Sequence, residues 1–513
     1  MHPGKLVVLL TCLVLMAVPC HAAISAYKLS PQVPLESWTY PALDRVVALC
    51  QVRTGLAGTR PLTRLEIARL ISEAALKANL YAVPPQARIL LRRLQVEFHD
   101  ELIYLSGTAG EGANPGKALR AAEVRYTYQD GEPSSYPGTE ASQFALAYNL
   151  SGRAYDNHHN GEFSLLGDLL LFDRLLLSWQ PLVSRFDDGD SKFDVLSAVA
   201  AVSFGGVELS AGRQALWWGQ GRHGSLLLTN NAQPLDMLRL TNPSPLQLPW
   251  LLKHLGPFRF DLFVSRLDDD RIVSEPYFGG LRFNFKPSRY IEFGASRTVM
   301  FGGDDRPSVD AGDFLTIIGG ENLSGNDDTS NSIAGVDALI NFPLLWGMQI
   351  YGELYGEDEA GGFPSKNSFL SGVYLPQIEP SGRLSLRVEY ADTTRLGGGG
   401  PVFYRHGIYR SGYIYEGQII GHHVGGDATD LSVQLGIDYS ERLSFGIGFD
   451  YEERGKSRAL QEKHAQADVT ATWWLDPKLS LTARYAYDHI KNWNFEEADE
   501  DFHMASVGVG YRF

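Results

Sequence analysis

Residues 212–231 read GRQALWWGQGRHGSLLLTNN, a run that sets aromatic, cationic and amide side chains among glycines. Trp217 and Trp218 offer broad ring faces, which pack well on the apolar C–H faces of pyranose rings. Arg222, His223, Asn230 and Asn231 offer hydrogen bonds, and Arg222 can grip a uronic-acid carboxylate with two parallel donors. That combination is the chemistry of a sugar-binding loop. The same glycines and tryptophans also suit a loop folded into the lumen of a barrel, where close approach and space-filling are needed.

A second cluster, Tyr404-Arg-His-Gly-Ile-Tyr-Arg-Ser-Gly-Tyr-Ile-Tyr415, interleaves Tyr404, Tyr409, Tyr413 and Tyr415 with Arg405 and Arg410. The chain carries a formal charge of −15. An acidic polysaccharide is repelled by such an average surface and needs a local basic patch of this kind. The competing reading is an extra strand whose tyrosines belong to an interfacial girdle. The same charge argues against nucleic acid as a partner.

Other candidates carry less. His158-His159 and His422-His423 are adjacent pairs, and on a strand the two rings of each would point to opposite faces. One metal cannot then take both, so neither metal nor cofactor is expected. Asp268-Asp269-Asp270 and Asn326-Asp327-Asp328 read as solvated acidic loops rather than calcium sites. No Ser–His–acid set with a recognisable context and no phosphate or dinucleotide fingerprint appears, so the chain does not read as an enzyme.

The elements that hold these residues alternate with period two. In 383–390, Leu384, Leu386, Val388 and Tyr390 oppose Arg383, Ser385, Arg387 and Glu389. Residues 431–439, 443–451 and 479–488 repeat the pattern, as do 258–265, 281–286 and 291–296. Successive strand side chains point to opposite faces. Segments of nine to eleven residues that often end in Tyr suit tilted membrane strands with an aromatic girdle. The final strand runs Ala505, Val507, Val509, Tyr511, Phe513, resembling the carboxyl-terminal signal of bacterial outer-membrane barrels, which the barrel assembly machinery reads.

Short links at 286–289, 379–382, 440–442 and 476–478 alternate with long ones at 266–277, 301–331, 356–366, 392–429, 453–466 and 490–502. In outer-membrane barrels short turns lie in the periplasm and long loops outside. The fold expected is therefore an all-β transmembrane barrel of about 18 antiparallel strands over residues 106–513, with 153–203 the hardest stretch to divide. The stretch 217–231 follows the fifth strand at the outer end.

The amino-terminal region differs. Residues 1–22 have the basic start, apolar run and small-residue exit of a signal peptide, cleaved after Ala22; a lipidated Cys20 is disfavoured by Pro19. Cleavage leaves Cys50 as a lone cysteine in an apolar run, so no internal disulfide is expected. Thr63-Arg-Leu-Glu66 is a capping box. With helices at 41–52, after Thr63, and around Ile89–Phe98, residues 23–105 read as a small periplasmic helical domain.

Three stretches together resemble the capsule assembly Wzi family. They are Val33–Arg45 with Gly58–Arg69, Gly212–Arg222 with Gly224–Ala232, and Gly412–Gly417 with Ile420–Asp427. Gln220 stands where the family pattern would have Pro. The resemblance implies an 18-stranded barrel closed on the periplasmic side by a helical bundle. It also implies a lectin-like role, holding surface polysaccharide for capsule or exopolysaccharide assembly. The alternative is a diffusion channel or the barrel of a transport complex, since Arg387, Glu389 and Arg484 would suit an aqueous lumen. The expected partners are an acidic surface polysaccharide, outer-membrane lipid and the assembly machinery, with the chain acting as a monomer.

Overall fold

In the computed structural model the described residues are 29–107, 116–307, 314, 330–360, 363–396 and 398–513. Residues 1–22, expected to be a signal peptide, and Asn326–Asp328 lie outside them. Eighteen long strands, here β1 to β18 in chain order, close into one antiparallel barrel in which each strand pairs with its sequence neighbours. The last, Glu500–Arg512, pairs with the first, Ala121–Asp130, from Ala121↔Arg512 to Asp130↔His503. Closure leaves no edge strand unpaired, which a sheet surrounded by lipid requires.

The side chains are sorted inside out. In β15 (Leu443–Arg454), Ile447 and Phe449 are exposed on the outside while Asp450, Glu452 and Arg454 are buried within. Val507 and Val509 of β18 and Val124 and Tyr126 of β1 continue the apolar exterior. A surface apolar outside and charged inside is stable only with lipid around it. Among the described residues no helix is long and apolar enough to cross a membrane.

The difficult stretch resolves into β2 (His158–Leu171), β3 (Leu175–Arg185) and β4 (Ser191–Phe204). One expected long link is largely strand. β11 (Met348–Ala360) and β12 (Phe363–Leu375) stay paired to Ala360↔Phe363, so 356–360 and 363–366 are strand where a long link was expected. The polar run Gly-Glu-Asp-Glu hides this, because backbone pairing beyond the membrane does not need apolar side chains.

Four helices sit at the short-turn end: α1 (Thr39–Leu49), α2 (Arg64–Leu80), α3 (Pro85–Glu97) and α4 (His99–Ser106). Pro41 in the first turn of α1 and Pro85 at the start of α3 use positions where the missing N–H costs nothing. Thr63 caps α2, its Oγ1 accepting from Glu66 N at 3.3 Å. Glu66 turns to Arg69 rather than completing the reciprocal cap. Tyr40, Leu43, Val46, Ile67, Ile71, Leu90, Leu94 and Phe98 pack the bundle core, with Cys50 buried among them.

The bundle is bolted to the barrel by charge. Arg45 donates to Pro376 O, to Gly382 O and to Asp438 Oδ2. Arg512 meets Glu97 at 2.9 Å, and Arg120 bridges Asp168 at 2.7 Å and Glu101 at 3.4 Å. On the barrel side Pro376, Gly382, Asp438, Asp168 and Arg512 are turn or strand residues at the same end.

Candidate functional site

The chain leaves β5 (Val207–Gln214) at the long-loop end and dives into the lumen, returning only at β6 (Leu235–Thr241). This plug, 215–234, is the glycine- and tryptophan-rich stretch. Trp217 and Trp218 pair with Arg60 and Thr59 of the loop before α2, so the plug reaches the helical bundle. Trp218 has 0% of its surface exposed and packs edge-on against Phe263 at 5.4 Å.

The tight path explains the glycines. Gly219 has φ +141, and a Cβ there would lie 2.2 Å from the Glu353 carboxylate. A Cβ on Gly224 would strike the His422 ring at 2.4 Å.

A loop of this shape has N–H groups without partners of its own, and burial among lumen side chains makes each one costly to leave unpaired. Carboxylates from the barrel wall collect them. Glu353 of β11 accepts from Gly221 N and Leu226 N, both at 2.9 Å. Glu389 of β13 (Leu384–Asp392) accepts from Arg222 N at 2.8 Å and His223 N at 2.9 Å. Glu292 does the same for Ala57 and Gly58, and Asp337 accepts from Gln220 at 2.7 Å and pairs with Arg282.

Asp44 of α1 takes part from below, within 3.2 Å of Arg222 and also paired with Arg60. Burial alone would raise its carboxyl. Arg60, Arg222 and Arg387 outweigh that and hold it below the usual carboxylate range.

The sugar-facing groups expected from the sequence are largely occupied by protein. Asn231 donates to Gln143 at 3.0 Å and Ile419 O at 2.9 Å, and its carbonyl accepts from Gln143 and Asn149. Asn230 donates to Asn149 O at 2.9 Å. Trp217 donates to Gly221 O at 3.0 Å. For this stretch the arrangement is that of a loop folded into the lumen, one of the two readings that the sequence left open.

The second cluster lies over the plug. Tyr404 donates to Leu226 O and accepts from His422 N at 2.9 Å; Tyr413 donates to Leu227 O at 3.0 Å and stacks on Tyr404 at 5.2 Å. Tyr409 donates to Gly302 O at 3.1 Å. Tyr415 is buried in a two-residue ribbon, 414–415 with 418–419. These rings are neither a girdle nor an open platform; Tyr404 and Tyr413 buckle the late loop to the plug, and Tyr409 ties it to the end of the strand before Gly302. Arg410 is exposed at the long-loop end, and Arg405 is half-buried within 3.8 Å of Asp427.

The charges expected to line an aqueous lumen are engaged as well. Arg387 lies 4.0 Å over the Tyr374 ring, and Arg484 donates to Leu146 O at 3.3 Å. A cavity of about 690 Å³ does remain at the bundle end, lined by Glu36, Trp38, Arg64, Arg120, Arg153 and Arg512 among others. None of the sugar-site candidates lines it.

One constellation escaped the sequence reading. His422 and His423 lie in a loop with their rings stacked at 4.6 Å, not on opposite faces of a strand. His423 meets His223 of the plug at 4.7 Å, against Asp430 of β14 (Ala428–Asp438) and Asp450 of β15. Burial would lower the His223 pKa, but Asp450 and Asp430 push it up to about 10. His422, crowded by burial and by His423, is held well below the ordinary range. His158 and His159 stand exposed at the start of β2. The Asp268 carboxylate meets Arg271 at 3.4 Å and accepts from Glu416 N.

The wall carboxylates Glu353, Glu389 and Asp337 were also missed as a set. Their signal is present only as single acids on the polar side of each alternation.

Comparison with known proteins agrees with this architecture. The family described as capsule assembly protein Wzi matches residues 126–503. A Klebsiella pneumoniae relative, an uncharacterised 55.8 kDa protein in the cps region, is 30% identical over 262 residues. That match covers 50% of this chain and 48% of the relative, so the chain spans about half of that protein's length. Among solved structures, Escherichia coli Wzi is similar with a TM-score of 0.70 and 21% identity. The likeness covers 92% of this chain and 98% of that one. Wzi is described as an outer-membrane protein involved in group 1 capsule assembly and as a carbohydrate-binding β-barrel.

Proposed function

The chain belongs to the capsule assembly protein Wzi family, and on that premise we propose that it binds surface polysaccharide and assists capsule or exopolysaccharide assembly. It acts from the bacterial outer membrane, with the helical bundle in the periplasm and the long loops at the cell surface. No bond is made or broken. The observation that carries this reading is the filled lumen: plug, late loop and wall carboxylates are fitted to one another where a channel would need open water.

The contact surface is then the outer face of the late loop. Arg410 supplies exposed positive charge against a chain of net −15, which suits an acidic glycan, while Arg405 lies half-buried beside Asp427 beneath it. The buried members, Trp217, Trp218, Arg222, His223, Asn230, Asn231 and the four tyrosines, hold that loop in shape from beneath. Weak contacts repeated along a polymer supply retention without a tight single site.

Arg410→Ala tests this. Cell-bound polysaccharide is expected to fall several-fold while total polysaccharide and barrel content stay unchanged. Unaltered retention, in both this variant and a strain lacking the gene, would remove the proposal.

A further inference from the structure

The His223–His423 constellation is built from three separate parts of the chain, and it has the composition of a metal site. Nitrogen and oxygen ligand atoms of His223, His423, Asp430 and Asp450 all lie within 4.8 Å of one another, and all four residues are buried. His223 Nε2 is 3.0 Å from Asp450 Oδ2 and 3.5 Å from Asp430 Oδ2, and His423 Nε2 is 3.4 Å from the same Asp430 oxygen. A tetrahedral zinc with arms of about 2.1 Å has ligand–ligand edges of roughly 3.4 Å. A pair as far apart as 4.8 Å must close by about 1.4 Å to reach that figure, and the 3.0 Å pair must open by about 0.4 Å.

Hydrogen bonding leaves the group incomplete. Both ring nitrogens of His423, Asp430 Oδ2 and Asp450 Oδ1 are buried without a hydrogen bond. The 3.4–3.5 Å approaches to Asp430 are too long to count as good ones. His423 is 1% exposed, and its ring is fixed by Tyr148 stacked at 4.2 Å. Glu353 and Glu389 are matched by backbone donors and Asp337 by Arg282; here two aspartates face the imidazoles of His223 and His423 with no arginine between them. Glu452 stands at 3.4 Å from His423 Nε2 but is already clamped by Arg454.

We propose that His223, His423, Asp430 and Asp450 bind one divalent transition ion, zinc above all, and that it ties the plug and the late loop to the barrel wall. Two imidazoles and two carboxylates suit zinc rather than calcium or magnesium, which prefer all-oxygen shells. With all four positions taken from the protein the ion is structural, not catalytic. The bond network it creates joins residues 223, 423, 430 and 450, none of which is near Cys50, the free cysteine of the described residues.

The test uses the whole protein in detergent, stripped with chelator and dialysed against zinc chloride or cobalt chloride. About one zinc per chain and the visible absorption of tetrahedral cobalt are expected. Zinc is expected to raise the unfolding temperature. His423→Ala and Asp450→Asn should each lose the bound ion, while the exposed pair His158→Ala with His159→Ala should keep it. If the wild-type protein retains no stoichiometric zinc and shows no cobalt band, the proposal is overturned. Undiminished binding in both His423→Ala and Asp450→Asn overturns it equally. The wild-type measurement stands by itself should a variant fail to fold.

Discussion

Two sectors of the same inner wall use their carboxylates differently. Between Ile291 and Asp392, Glu292, Glu353 and Glu389 each accept from backbone N–H groups of inserted loops, and Asp337 is locked to Arg282. Between Ala428 and Arg454, Asp430 accepts no hydrogen bond at Oδ2, and Asp450 uses one oxygen on His223 and leaves the other unpaired. Both sectors carry the same alternation of apolar and polar residues. An inward acid is thus no measure of an aqueous lumen. What it contributes depends on which loop comes to meet it.

The contrast is broken most severely at Glu353. Glu353→Ala strands the backbone donors of Gly221 and Leu226 in a buried site and is expected to cost about 3–5 kcal/mol. The check is the urea midpoint of the folded barrel in detergent, supported by protease cutting within 215–234. A change below ~1 kcal/mol would mean that the plug does not depend on the wall.

Next is Asp44, which joins the matched sector to the bundle. Its folded pKa is depressed, so its contribution is present above the unfolded value of about 3.9 and is lost as pH falls through the folded one. Asp44→Asn is expected to cost ~1–3 kcal/mol at neutral pH, because Arg60 and Arg222 lose their shared partner. The acid-induced fall in midpoint below about pH 4 should become shallower in the variant. Equal acid slopes in the two proteins would place the sensitivity elsewhere.

The smallest effect is expected in the other sector. In chelator-treated protein Asp430→Asn removes a carboxylate that accepts no hydrogen bond at Oδ2 and is repelled by Asp450. The change should stay below that of Asp44→Asn, because the repulsion by Asp450 that is relieved offsets the attraction of His223 that is lost, measured by the same midpoint. A loss as large as that of Glu353→Ala would erase the distinction between the sectors.

Much of the barrel is legible in the sequence because its cause is local. Leu431, Val433 and Leu435 against Ser432 and Gln434 state the two faces within five residues, and lipid outside enforces them. The helix start at Thr63 is equally local. The site is another matter. Trp218, Gly219 and Arg222 have the composition of a surface sugar loop, and nothing in 212–231 records that Glu353 and Glu389 wait more than 100 residues downstream.

The same holds for His423, whose companion His223 lies 200 positions earlier. Adjacency to His422 was visible and misleading, since it invited a strand argument for a segment that is a loop. The strand residues 356–360 and 363–366 escaped for the opposite reason. Its polar residues pair beyond the lipid, where the alternation that marks a strand is no longer demanded.

The filled lumen is tested most directly by single-channel recording of the purified wild-type protein in a planar bilayer. Silence is expected, with conductance steps emerging only when Glu353→Ala or Glu389→Ala releases the plug. Large steady openings from the wild-type barrel would contradict a lumen closed by residues 215–234.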